Sequence, residues 1–112
     1  MKPRAAYRRL FSRGGRRVSI ERRVANADPM RVEGVRARIR EATDEEIAGG
    51  IRSTERRVLI LAEDVPAGML PLVTDDAVLV DGLRMTFTQR PDDQTHRDGE
   101  MLLAIAGVVS SA

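Results

Sequence analysis

The apolar positions of this chain repeat mostly with a period of two. Residues 35–40 give the cleanest case: Val35, Ala37 and Ile39 fall on one face of an extended strand and Arg36, Arg38 and Arg40 on the other. Residues 17–22 alternate in the same way, with Val18 and Ile20 against Arg17, Ser19 and Glu21. Residues 57–63 are apolar on both faces (Val58, Leu59, Ile60, Leu61, Ala62), the pattern of a central or covered strand. The strongest local signal follows. Ala77, Val78, Leu79 and Val80 lead into Asp81–Gly82, and Leu83, Arg84, Met85, Thr86 and Phe87 lead out. Asp–Gly suits the positive φ values of a two-residue type I′ turn, so this stretch predicts a β-hairpin. Residues 101–109 predict a last strand, again apolar on both sides.

Helical signals are few. Residues 3–12 predict one short helix: Pro3 sits in its first turn, Ala6, Leu10 and Phe11 share a face, and Gly14–Gly15 end it. Residues 25–30, with Asp28–Pro29, predict a loop, as do residues 64–74 and 90–99. Residues 43–54 are the least regular. Thr43 and Glu46 have capping-box spacing, yet Gly49–Gly50 would stop any helix after about one turn. We therefore expect a mobile loop near 43–54, disordered in the isolated chain and ordered in an assembly that covers Ile47 and Ile51. Successive strands without long helices between them predict a mainly all-β fold: a small antiparallel barrel or sandwich of about six strands with a short N-terminal helix. The organisation expected is a basic arm and helix over residues 1–15 and a barrel domain over residues 16–109. The core should hold Val18, Ile20, Val35, Ile39, Val58, Ile60, Leu79, Met85, Phe87, Leu103 and Ile105.

Composition narrows this picture. At 112 residues the chain has room for one core. Its only aromatics are Tyr7, Phe11 and Phe87, so aliphatic side chains must fill the interior. It has no cysteine, which removes disulfides and thiolate sites. Its apolar runs are short and strand-like, nothing approaches the length of a membrane span, and no apolar segment of a secretion signal follows the basic start. Charge is unevenly placed. Residues 1–23 carry nine basic groups against Glu21 alone, whereas residues 24–112 carry ten basic and sixteen acidic groups. A basic head on an acidic body can meet nucleic acid, an acidic protein surface, or the body of a neighbouring copy.

Candidate chemistry is sparse. His96 is the single histidine and lies among Asp92, Asp93, Arg97 and Asp98, a poor ligand set for a metal and no basis for a nucleophilic triad. Asp75–Asp76 and Asp92–Asp93 are carboxylate pairs, but adjacent turn residues point apart. Neither glycine pair has a phosphate-loop setting, and surface aromatics for base stacking are lacking. The sequence points away from an enzyme and needs no cofactor. The ladder Arg36, Arg38, Arg40 calls for acids opposite it, across strands or across subunits, or else it forms a phosphate-binding strip.

The second half of the chain resembles the head–tail joining, or head-completion, proteins of long-tailed bacteriophages, including the lambda tail-attachment type and its stopper class. The likeness runs over about residues 5–108. It rests on the double-apolar strand 57–63, the segment Asp75-Asp76-Ala77-Val78-Leu79-Val80-Asp81-Gly82, the short strand after it, the loop Arg90-Pro91-Asp92-Asp93 and the final apolar strand, with a helix ending near Leu10–Phe11 before the first strand. The Arg-rich start and the lack of aromatics in the last hairpin depart from the pattern and leave stopper, adaptor and terminator roles open. The resemblance implies a structural virion protein of the neck, assembled in the host cytoplasm. It implies a six- or twelve-fold homo-oligomeric ring between a portal or adaptor protein and a tail terminator or tail tube protein, around packaged DNA met without sequence specificity, with no membrane. The residues singled out for interaction are Arg8, Arg9, Arg13, Arg16, Arg17, Arg36, Arg38, Arg40, Asp44, Glu45, Glu46, Ile47 and Ile51. In such a ring Asp44, Glu45 and Glu46 would line the channel with negative charge. The alternative is a small nucleic-acid-binding β-barrel that uses the Arg-rich N-terminus and the arginine ladder.

Overall fold

A computed structural model describes residues 3–52 and 54–111. Lys2 of the basic arm and Ser53 of the 43–54 segment lie outside the described residues. Helix α1 spans Pro3–Gly14 and is followed by strands β1 (Arg16–Arg22) and β2 (Met30–Glu41), helix α2 (Asp44–Ala48) and strand β3 (Glu55–Leu61). Two 3-10 turns, Ala62–Asp64 and Ala67–Met69, lead to β4 (Ala77–Val80) and β5 (Leu83–Phe87). The short strands β6 (Arg97–Asp98) and β7 (Met101–Leu102) precede β8 (Ala104–Ser110). Six strands close a barrel in the order β1-β2-β3-β8-β5-β4, every neighbouring pair antiparallel, while β6 and β7 form a separate two-stranded arm. The expected small barrel with one short N-terminal helix is the observed architecture.

The closure depends on β2, whose first part pairs with β1 and whose last part pairs with β3. Opposite Val18 and Ile20 it carries one extra residue, since Val18 faces Val35 and Ile20 faces Val32. This bulge bends the strand and increases its twist. Gly34 sits in it at φ +73°, a conformation only glycine adopts freely, and the Arg17 guanidinium donates to the Gly34 carbonyl at 3.0 Å. The hairpin is as predicted: Asp81 and Gly82 both have positive φ, 51° and 78°, between β4 and β5.

Inward side chains make the core: Val18, Ile20, Val35, Ala37, Val58, Ile60, Val78, Val80, Met85, Phe87, Ile105 and Val109. Ala62, Val65, Met69 and Leu72, from the connection between β3 and β4, pack on the same cluster. Two expected core residues differ. Leu79 is half-buried because Ile20 and Val78 are register partners that both point inward, which turns Leu79, opposite Ser19 and Arg84, outward. Ile39 is half-buried, packed against the core from near the end of β2. Helix α1 lies against β2 and β3 and buries Phe11.

The segment expected as an unstructured loop contains α2. Both halves of its capping box form: the Glu46 amide donates to Thr43 Oγ1 at 3.2 Å, and the Thr43 amide donates to Glu46 Oε1 at 2.9 Å. Gly49 ends the helix after five residues. The last predicted strand is also divided. Leu103 separates β7 from β8, its amide donating to the His96 carbonyl at 2.9 Å.

Candidate interaction surface on the outer barrel face

Outward positions on β1, β2 and β3 are mostly arginine, and the inward apolar residues dictate which of them face one another. In the resulting register Arg36 lies opposite Arg17, Arg38 opposite Leu59 and Arg40 opposite Arg57. The acids expected opposite the ladder are therefore not cross-strand neighbours. They come from the connections. Asp64 accepts from Arg36 Nε at 2.8 Å, Nη2 at 2.9 Å and the Arg36 amide at 2.8 Å. Those bonds hold its carboxyl below the usual carboxylate range, the guanidinium bond being the largest cause. Glu63 takes both Arg8 nitrogens at 2.7 Å and also lies 3.5 Å from Arg4 and 3.6 Å from Arg36. Helix α1 is thus tied to the barrel through Glu63.

Glu46 supplies the third acid. Its carboxylate accepts from Arg40 at 2.6 and 3.2 Å and lies 3.0 Å from Arg57 Nε. The Arg40 bond first, then the Thr43 amide, lowers its pKa to about 2. Two guanidinium groups forced together by the register are bridged by one carboxylate that offsets their repulsion.

The predicted interaction residues now divide. Arg8, Arg16, Arg36 and Arg40 are paired with acids of the same chain, Arg16 with Asp81 of the hairpin turn. Arg17 donates to a backbone carbonyl. Among the described residues Arg9, Arg13 and Arg38 have no acidic partner. Asp44 and Glu45 are exposed, whereas Glu46 is committed to its ion pairs. Ile47 is exposed and Ile51 half-buried, so α2 leaves one large apolar side chain uncovered. Of the carboxylate pairs, Asp76 is buried and Asp75 exposed, pointing apart as expected.

A cleft of about 390 Å³ opens where the outer faces of β2, β3 and β8 meet the end of α1. Arg38, Arg40, Arg57 and His96 line it, over a floor that includes Leu59 and Ala106. His96 Nδ1 lies 2.8 Å from Tyr7 Oη, the two rings meeting edge to face. Sequence reasoning missed Arg57, because its strand reads as apolar on both faces; only the register with β2 brings it beside Arg40. Among the described residues no cluster of three or more His, Cys, Asp or Glu is placed to hold a metal, and no helix is long and apolar enough to cross a membrane. No family profile, curated protein or solved structure matches the chain.

Proposed function

We propose that this chain is a structural subunit of a phage neck, of the head–tail joining or head-completion kind, that assembles into a six- or twelve-fold ring and connects or seals the DNA channel between a portal or adaptor and the tail. The observation that carries the reading is a closed barrel with two attachments outside its sheet, each pairing free acids with an exposed apolar side chain. One is α2, with Asp44, Glu45 and Ile47; the other is the β6–β7 arm, with Asp98, Glu100 and Met101. A closed barrel has no free edge strand through which to polymerise, so contacts between copies fall to such attachments. Around a ring, Asp44 and Glu45 would face the channel as the acids free to repel DNA phosphates, Glu46 being neutralised by Arg40 and Arg57. The order expected of residues 43–54 only in an assembly narrows accordingly: the capped helix forms within the chain, and covering Ile47 is left to a neighbour.

Inactivating the gene in the phage that encodes it should give heads that lose DNA and tails that stay detached, and adding the purified chain to that lysate should restore joined particles. Two-dimensional averages of the joined necks should show a ring at the junction. Heads and tails that join normally without the chain overturn the proposal. The second reading, a nucleic-acid-binding barrel, rests on the unpaired Arg9, Arg13 and Arg38. Its test is a shift with generic DNA that weakens steeply with salt. The internal pairing of Arg8, Arg16, Arg36 and Arg40 favours the first reading, since those charges already have partners.

A further inference from the structure

We propose that the cleft on the outer face of β2, β3 and β8 is a docking site for the β6–β7 turn of a second copy of this chain, Asp98 and Glu100 meeting Arg38, Arg40 and Arg57 while Met101 covers the apolar floor. The inference rests on the ring reading and names the contact that closes such a ring.

Charge complementarity carries it. Three guanidinium groups line the cleft, and among the described residues the one carboxylate that reaches them, Glu46, engages Arg40 and Arg57 but leaves Arg38 without an acid. The turn offers the converse. Asp98 and Glu100 are exposed, and among the described residues their carboxylates make no ion pair or hydrogen bond. Two carboxylates complement the excess of two guanidinium groups over Glu46. Bidentate arginine–carboxylate geometry supplies orientation as well as attraction.

The apolar components match too. Met101, next in sequence, is 47% exposed, the second largest value among the uncovered large apolar side chains of the described residues. The cleft floor at Leu59 and Ala106 is half-buried. A flexible thioether fits an irregular floor of this sort. The turn is also held in shape for insertion. Gly99 has φ +60°, and the Arg97 guanidinium donates to the Asp93 carbonyl at 2.6 Å and to the Glu100 carbonyl at 3.0 Å, bracing the arm from within. A preformed projection loses little freedom on binding.

A cleft and a projection on one chain form a head-to-tail contact. Such contacts propagate, closing into a ring when the rotation allows. This dictates a test by complementary variants. Arg38→Gln with Arg57→Gln disables the cleft, and Asp98→Asn with Glu100→Gln disables the turn, neutral substitutions that cannot restore the contact by swapping charges; all four side chains lie on the outside of the barrel, and circular dichroism verifies that both variants fold. In sedimentation velocity the wild type should self-associate with increasing concentration and decreasing salt. Each variant alone should remain monomeric. Their equimolar mixture should form a dimer and nothing larger, because one intact cleft meets one intact turn.

A mixture that stays monomeric overturns the docking, as does a variant that associates like the wild type. A wild type that stays monomeric at every concentration overturns self-docking while leaving the joining role standing, provided the lysate still yields joined particles. Rings containing the cleft variant would likewise retain the ring and reject this contact.

Discussion

The ion pair between Arg22 and Asp76 is deeply buried, and its two halves should not be equally costly to remove. Arg22 ends β1; Asp76 precedes β4 and its side chain is 2% exposed, against 24% for the Arg22 side chain. The contact is bidentate, Nε to Oδ1 at 2.9 Å and Nη2 to Oδ2 at 2.7 Å. Arg22 Nη2 also reaches the carbonyls of Met69 and Pro71 at 2.9 and 3.0 Å, and the Val73 amide donates to Asp76 Oδ2 at 2.8 Å. One guanidinium therefore ties β1 to the connection that packs against the core.

Arg22→Ala leaves a carboxylate away from water with a single amide donor, and should cost about 4–5 kcal/mol, the upper part of the range for orphaning one member of a buried pair. Asp76→Ala leaves a guanidinium that touches solvent and keeps two carbonyl acceptors, so about 2–3 kcal/mol is expected once the usual range is discounted for that exposure. Urea denaturation followed by circular dichroism measures both, with equal slopes required for the comparison. The double variant should cost less than the sum of the two singles, because the second deletion removes the charge that the first orphaned. If Asp76→Ala proves the more damaging, or if both fall below about 1 kcal/mol, the burial reasoning is wrong.

Other expectations follow from single positions. Phe87 is 1% exposed, so Phe87→Ala should cost about 3–5 kcal/mol by the same denaturation measurement. A Cβ at Gly107 would stand 2.5 Å from Phe87 Cε1, so Gly107→Ala should destabilise by about 1–3 kcal/mol through overpacking; a stable variant with an unmoved Phe87 ring would refute the contact. Gly82→Val puts a β-branched residue at φ +78° and should lower the unfolding free energy by about 1–2 kcal/mol or more, whereas Gly82→Asn should be tolerated. Glu46 has a carboxyl lowered from 4.5 to about 2, so the stability it lends α2 is fully present above pH 4.5 and is lost as pH falls through about 2. Carboxyl NMR shifts of Glu46 that titrate near 4.5 would refute the pairing with Arg40.

The sequence made the barrel legible because apolar positions mostly recur with a period of two, and the hairpin because Asp81–Gly82 accepts a backbone that few other pairs accept. Three features were not legible, each for a physical reason. The full length of β2 was hidden because its first residues flank a bulge, which breaks alternation at Glu33 and Gly34. Helix α2 escapes the sequence pattern because its glycines follow so soon; two reciprocal capping bonds and the anchoring of Glu46 to β2 and β3 hold a helix that propensity alone would not. The β6–β7 arm has two residues per strand, too few for any period to register.

The arginine ladder shows how the interior dictates the charge left on the surface. Burying Val35 and Ala37 with Val18, and placing Ala37 opposite Ile60, fixes the register of β2 against its neighbours. That register sets Arg36 beside Arg17 and Arg40 beside Arg57, so hydrophobic burial outweighs like-charge repulsion of a few tenths of a kcal/mol per exposed pair. The connections then relieve the repulsion: Glu63 and Asp64 at one end of the ladder, Glu46 at the other. Arg38 lies between the reach of both and remains uncompensated. A surface charge left where neither register nor connections can neutralise it is available to a partner; Arg9 and Arg13 of α1 are likewise unpaired, but Arg38 stands beside two further guanidinium groups in a cleft, which makes the cleft the place where this barrel should be challenged first.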